Sequence, residues 1–283
     1  MQRFLIGGIR TLGLPVFYGV MGLVIPFYML FGRQGYLSMY HFLRERFHLS
    51  PLRAFVGVYK NHYRFGQIIL DRFAVYGGMK FQFTVEGYDL FHRCEQAASG
   101  VLLLSCHVGN YELAGYSLQA KEKRFNALVF SGETETVMNN RKRMLTPNNM
   151  RMIPVKEDLS HVFLINNALS DGEIVSMPAD RLFGSSKSAQ CTFFGTPAKF
   201  PLGPFATAVQ REVPVLAVFV MKSARKSYRI LVREIYRPSS EEFASLPRRK
   251  QMEQAAQRFA TELEAVVKSY PEQWFNYYNF WAE

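Results

Sequence analysis

His107 and Glu112 are the two side chains of this sequence whose types and spacing suggest acid–base chemistry. They lie in the stretch Leu102-Leu103-Leu104-Ser105-Cys106-His107-Val108-Gly109-Asn110-Tyr111-Glu112. The short apolar run ending at Ser105 reads as a buried strand bounded by a breaker. Gly109 and Asn110 are turn formers, and the residues from Tyr111 to Ala120 favour helix. His107 then falls at the carboxyl end of a strand, and Glu112 in the first turn of the next helix. On one continuous helix, residues five apart point about 140° away from each other. A turn between them lets the carboxylate reach the imidazole. A carboxylate on one ring nitrogen fixes the tautomer and leaves the other nitrogen as a base. Such a pair suits general-base activation of a substrate hydroxyl or amine, at the sheet edge where open α/β proteins bind ligands. The plainer alternative is a strand-end histidine beside a glutamate that complements a helix dipole. Pattern alone favours that alternative, because short motifs often match by chance.

Two further segments carry polar chemistry. Asp180-Arg181 follows an apolar strand at Ile174 to Met177. An arginine there can give two aligned hydrogen bonds to a phosphate or carboxylate; otherwise the two form a structural pair. Gly195, Pro197, Pro201, Gly203 and Pro204 read as a rigid turn into a helix near Leu202. Backbone N–H groups at such a helix start can hold an anion, Lys199 adds charge, and a purely structural turn is the alternative. Phosphate-loop, dinucleotide and serine-hydrolase signatures are missing. Cys94, Cys106 and Cys191 are isolated and odd in number, with no disulfide or zinc spacing. Cys106 precedes His107, but alternation along a strand aims neighbours at opposite faces, which argues against a thiol nucleophile.

From Phe81 onward, strands alternate with helices. Strands are predicted at Phe81 to Glu86, Val101 to Ser105, Ala127 to Phe130, Met152 to Val155, Ile174 to Met177, Cys191 to Phe194, Val215 to Met221 and Tyr228 to Ile235. Helices are predicted at Tyr111 to Ala120, Thr136 to Leu145, Leu159 to Ser170, Leu202 to Gln210 and Arg248 to Ser269. The rhythm implies an α/β fold with a mixed, largely parallel sheet flanked by helices. Before it, residues 35–80 read as helices rich in aromatic and basic side chains, lying beside a bilayer or packed on the sheet. Asp71-Arg72 reads as a local ion pair. The aromatic tail from Trp274 to Trp281 reads as a docked C-terminal helix, or as a cover for an apolar channel or a membrane-interface segment.

Thr11 to Gly32 is uncharged and mostly apolar, with Arg3 and Arg10 before it and Arg33 after it. Its length matches the roughly 20 residues of a spanning helix. A membrane anchor over residues 1–34 is therefore expected, with an interfacial helix dipping into one leaflet as the alternative. The net charge of +11 over 283 residues calls for an acidic partner. No nucleic-acid-binding signature is present, and an anionic membrane surface fits better beside the apolar N-terminus.

His107-Val108-Gly109-Asn110-Tyr111-Glu112 resembles the His-x4-Asp/Glu block of glycerolipid-type acyltransferases. More narrowly, it is similar to the branch containing the late acyltransferases of lipid A biosynthesis and the phosphatidylinositol mannoside acyltransferases. Pro178-Ala179-Asp180-Arg181, the block from Phe193 to Pro204, and Tyr270-Pro271-Glu272-Gln273-Trp274-Phe275 resemble further blocks of that branch, in the same order. Four ordered motifs outweigh the plainer view of His107 and Glu112. The resemblance implies a glycerolipid acyltransferase-like fold over residues 35–283 behind an N-terminal membrane helix. It implies transfer of a fatty acyl group from acyl carrier protein or coenzyme A to a lipid hydroxyl, at a bacterial inner membrane with the catalytic domain facing the cytoplasm. No resident cofactor or metal is implied. His107 becomes the general base and Glu112 its orienting carboxylate, with Asn110, Asp180, Arg181, Gly195, Lys199 and Gly203 at the substrates. Lipid A is the leading acceptor. The basic run that often ends this block in lipid A enzymes is replaced by Phe275-Asn276-Tyr277-Tyr278, so an aminolipid, glycolipid or polyene acceptor, or a non-catalytic membrane scaffold, are the alternatives.

Overall fold

A computed structural model of the chain describes residues 2–114, 118, 122–130, 149–156, 158–182 and 187–281. Four helices come first: α1 (Gln2–Leu12), α2 (Leu14–Phe31), α3 (Arg33–Arg46) and α4 (Pro51–Tyr76). Gly13 separates α1 from α2 with a φ of 81°, a conformation that glycine reaches at no steric cost. The apolar stretch expected as one span is therefore interrupted at its start.

The sheet layer follows as β1 (Gln82–Glu86), α5 (Tyr88–Gln96), β2 (Val101–Ser105), β3 (Phe125–Phe130), β4 (Met150–Val155), α6 (Ser160–Ser170) and β5 (Ile174–Pro178). It continues with β6 (Ser188–Phe193), β7 (Thr196–Pro201), α7 (Gly203–Arg211), β8 (Val215–Ala224), β9 (Ser227–Tyr236), α8 (Glu241–Ala244) and α9 (Arg248–Ser269). Seven strands form one sheet in the order β1-β9-β8-β2-β5-β3-β4. All neighbours are parallel except the β8–β9 pair. The α/β expectation is met.

β2 is central and wholly buried, which is why it reads as a continuous apolar run. Leu102, Leu104 and Cys106 join one core cluster, and Val101 and Leu103 the other, across the sheet. The period of two thus sends Cys106 and His107 to opposite sides. Burial, with the nearby Asp180 charge, pushes the Cys106 thiol well above its ordinary value, so it is a packed and unreactive side chain.

Several elements depart from the sequence expectation. The block from Phe193 to Pro204 is a β6–β7 hairpin running into α7, where a rigid turn was expected. Prolines are tolerated in such a two-stranded edge. The tail is no helix: after a short 3₁₀ turn at Pro271–Gln273 it runs irregularly, its Trp274, Phe280 and Trp281 rings packed on Phe42 and Phe193. α5 and the short α8 went unpredicted. The helix expected at Thr136 to Leu145 and much of that at Tyr111 to Ala120 lie outside the described residues; the latter opens as a 3₁₀ turn at Tyr111–Leu113.

Candidate active site

The site begins with strand register. β2 and β5 are parallel neighbours, with Ser105 opposite Pro178. The residues two beyond each strand, His107 and Asp180, therefore emerge side by side at the carboxyl edge of the sheet. Asp180 Oδ1 lies 2.9 Å from His107 Nδ1, and Oδ2 accepts the His107 backbone N–H at 2.8 Å. The Ala179 N–H donates to Ser105 O and closes the junction. Asp180 is 2% exposed, and the His107 side chain is 19% exposed, so the carboxylate is sealed while the ring reaches solvent. Burial pushes the Asp180 carboxyl up, but the attraction and hydrogen bonds of His107, joined by Arg181, hold it below the ordinary carboxylate range. An ionised Asp180 places the proton of a neutral imidazole on Nδ1 and leaves Nε2 with its lone pair.

The expectation put Glu112 on the imidazole. Its carboxylate is instead gripped from α4: Arg72 Nη1 donates to Oε1 at 2.7 Å and the Tyr76 hydroxyl to Oε2 at 3.3 Å. Arg72 Nε also reaches Asn110 Oδ1 at 3.3 Å, and the Arg72 guanidinium faces the Tyr111 ring. Tyr111 in turn meets the His107 ring edge to face, with centroids 5.9 Å apart. Asp71 and Arg72, expected as a local pair, point to different partners: Asp71 binds Lys222 Nζ at 2.5 Å. Tyr18 and Tyr228 also donate to Asp71, and Asn110 Nδ2 donates to the Tyr228 hydroxyl at 3.2 Å. A buried polar chain thus runs from α2 and α4 through β8 and β9 to Asn110. Asn110 is completely buried and works as a clamp within the protein.

The loop itself is held by the terminal block. Gly109 N–H donates to Gln273 O at 2.8 Å, Asn110 N–H to Val220 O at 2.7 Å, and Phe275 N–H to His107 O at 2.9 Å. The Gln273 side chain bonds both the N–H and the carbonyl of Lys222, each at 2.9 Å. The segment Pro271 to Trp274 is therefore a brace that ties the histidine loop to β8. Gly109 has a φ of 60°, and a Cβ there would stand 2.1 Å from Val220 O. Gly109→Ala should cost about 3 kcal/mol, from left-handed strain together with overpacking. Denaturant unfolding of the variant beside the parent chain checks it.

Arg181 lies next to this brace. Its Nη2 donates to Phe275 O at 2.9 Å, its guanidinium faces the Tyr278 ring at 5.6 Å, and its Nε is buried without a partner among the described residues. Tyr278 also lines a cleft of about 490 Å³ between α3 and the tail, with Phe42, His41, Asn276 and Trp281. Gly195, Lys199 and Gly203 stand elsewhere, on the β6–β7 hairpin and at the start of α7. That hairpin bonds α9, where Gln257 meets Thr192 and Glu264 accepts from the Phe194 N–H, and its Phe193 and Phe194 rings pack on Phe42 and the aromatic tail. His107, Asn110, Glu112, Asp180 and Arg181 are thus brought together. The sequence offered Arg72 only as a local partner of Asp71 and did not point to Tyr76, Lys222 and Tyr228; the visible signal for the last two was a lysine and a tyrosine in otherwise buried strands.

The family model described as bacterial lipid A biosynthesis acyltransferase matches residues 67–282 of the chain. No curated protein matches it.

Proposed function

The chain belongs to the bacterial lipid A biosynthesis acyltransferase family, and we propose that His107 is its general base, held by Asp180. The observation that carries this reading is the contact between His107 Nδ1 and the buried Asp180 carboxylate at the carboxyl edge of β2 and β5. The reaction moves a fatty acyl group from a thioester, on acyl carrier protein or coenzyme A, to a hydroxyl of a membrane lipid. His107 Nε2 takes the proton of the acceptor hydroxyl as its oxygen attacks the thioester carbonyl. The tetrahedral oxyanion collapses, the C–S bond breaks, and the departing thiolate takes the proton back from the imidazolium. Asp180 keeps Nδ1 protonated throughout and offsets the positive ring. Proton transfer of this kind contributes about 10²–10⁴-fold; the rest comes from holding two large substrates in line and from donors to the oxyanion.

Arg181, whose Nε has no partner among the described residues, lies beside the site and suits an anionic group of the acceptor or donor. The Arg72–Glu112 pair, 21% and 12% exposed, fixes a second guanidinium over the Tyr111 ring, which itself meets the His107 ring. The acceptor is lipid A or its precursor, and the donor is acyl carrier protein, whose acidic surface suits a chain of net charge +11. Lipid mass spectrometry of cells with and without the protein tests the acceptor: one acyl chain should be missing from lipid A. Unchanged lipid A with another lipid altered would replace the acceptor and leave the chemistry standing. Purified protein given either thioester should transfer faster from the carrier protein, and equal rates would remove that preference.

A further inference from the structure

We infer that α2 does not cross the membrane but lies along one leaflet, its outward face in the lipid and its inward face on the catalytic domain. The family match begins at residue 67, so the role of the preceding helices has to be read from their own packing.

α2 is long and apolar enough to span a bilayer by length and composition. Its neighbours do not permit it. Along its inward side Tyr18 donates to Asp71, Met21 packs over Gly66, the Tyr59 hydroxyl bonds Gly22 O at 3.1 Å, and the Tyr28 ring meets His62. The helix is therefore docked antiparallel on α4 over at least ten residues, or about 15 Å. α4 is itself part of the catalytic domain: its Asn61 donates to Trp274 O at 2.7 Å, and its Arg72 holds Glu112. Both ends of α2 return to the same domain. Before it, Arg10 Nε bonds Gly77 O at 2.8 Å, just ahead of β1. After it, Gly35 packs against Tyr277 and Phe42 against Trp274. A spanning α2 would carry one of these contacts to the far side of a hydrocarbon core about 30 Å thick, together with Asp71 and Arg64 on its partner helix.

The outward side is an apolar stripe. Val16, Val20, Leu23, Phe27 and Leu30 recur at spacings of four and three and are all exposed, while Leu14, Tyr18, Ile25 and Met29 are buried. That is one exposed apolar face of a helix, left uncovered by the described residues, opposite a face in the core. Leu52 and Phe55 on α4 are exposed as well, and Arg33, Arg53 and Lys60 stand exposed near these apolar groups. An apolar face rimmed by basic groups is the pattern of a helix lying in the plane of an anionic leaflet, where its face sinks roughly 5–10 Å.

The full-length protein with Cys94→Ser, which leaves only the buried Cys106 and Cys191, receives one new cysteine at a time: Val16→Cys, Leu23→Cys or Leu30→Cys. Each is labelled with a nitrobenzoxadiazole probe and placed in phosphatidylethanolamine–phosphatidylglycerol vesicles carrying spin-labelled lipids of graded depth. All three probes should report the same depth, short of the bilayer centre. A central Leu23 probe between two shallow ones would show a spanning helix and overturn the inference. An absence of quenching would overturn it too, since the face would not meet lipid. Independently, Leu23→Glu with Leu30→Glu should weaken vesicle binding at least tenfold with the melting temperature unchanged, and unaltered binding would count against the stripe. These readouts do not involve turnover, so their failure leaves the catalytic reading untouched.

Discussion

His107→Ala leaves a folded chain that transfers acyl groups about 10²–10⁴-fold more slowly, with the loss in kcat, because general-base help of that size disappears. Asp180→Asn is the more discriminating variant. Asn keeps the size of the side chain and still accepts a hydrogen bond, but it carries no charge. The His107 ring, 2.9 Å from Asp180 Oδ1, loses both the preference for a proton on Nδ1 and the counter-charge for its protonated form. In such dyads, loss of the carboxylate costs up to about 10⁴-fold, so a fall of about 10²-fold or more in kcat is expected. Glu112→Gln should behave differently. Its carboxylate is tied to Arg72 and Tyr76, so its loss frees the guanidinium and raises KM, with kcat reduced less than about tenfold. A steady-state comparison of the three variants settles the roles. If Glu112→Gln matched His107→Ala while Asp180→Asn kept its kcat, the orienting carboxylate would be Glu112. Asp180→Asn also carries a stability signature. Because the folded state holds this carboxyl below its ordinary range, its ionised form stabilises the fold fully above the unfolded value of about 3.9. That contribution is lost as pH falls through the lower folded value, so the parent chain should show a steeper acid limb than the variant.

The histidine was legible because its strand is local: five buried residues, an abrupt stop and two turn formers fall within one short stretch. Its partner was not. Asp180 is 73 residues away in sequence, and only the β2–β5 register sets the two together; no periodicity within either segment encodes that pairing. A five-residue spacing across a turn is compatible with contact but does not dictate it, and here α4 reached Glu112 first. The Phe193 to Pro204 block misled for a related reason. Its prolines punctuate the sequence like a turn, yet the segment sits in a two-stranded hairpin with no central position to disrupt. Long elements with clear periodicity fared best, and α9 lies where the spacing of its apolar residues puts it. The terminal block shows the opposite case: it is too short to have a period, and its role as a brace lies in two side-chain bonds from Gln273 to Lys222.

Lys222→Met should destabilise the fold by about 3–5 kcal/mol, the usual cost of removing one partner of a buried ion pair. The Lys222 and Asp71 side chains are both 0% exposed and 2.5 Å apart. Burial pushes the Lys222 ammonium below its ordinary value, against the pull of Asp71, which holds the charge in place. Burial and the same carboxylate push the Tyr228 hydroxyl well up, so it remains a donor to Asp71. Methionine fills the space of the lysine stem but leaves Asp71 a buried anion with only hydroxyl donors. Asp71→Asn with Lys222→Met removes both charges and should recover a good part of the loss, since a paired charge removed whole is far cheaper than one left alone. The consequence extends to catalysis through one chain of contacts: Asp71 holds Tyr228, Tyr228 receives Asn110, and Asn110 is the residue between Gly109 and Tyr111 in the histidine loop. The double variant should therefore be nearly as stable as the parent yet slower in kcat, with KM less affected, because the loop is less firmly set. Denaturant unfolding gives the coupling energy, and steady-state kinetics of the refolded double variant gives the split. A double variant that recovered stability and full kcat would show the buried pair to be a packing device with no hold on the site.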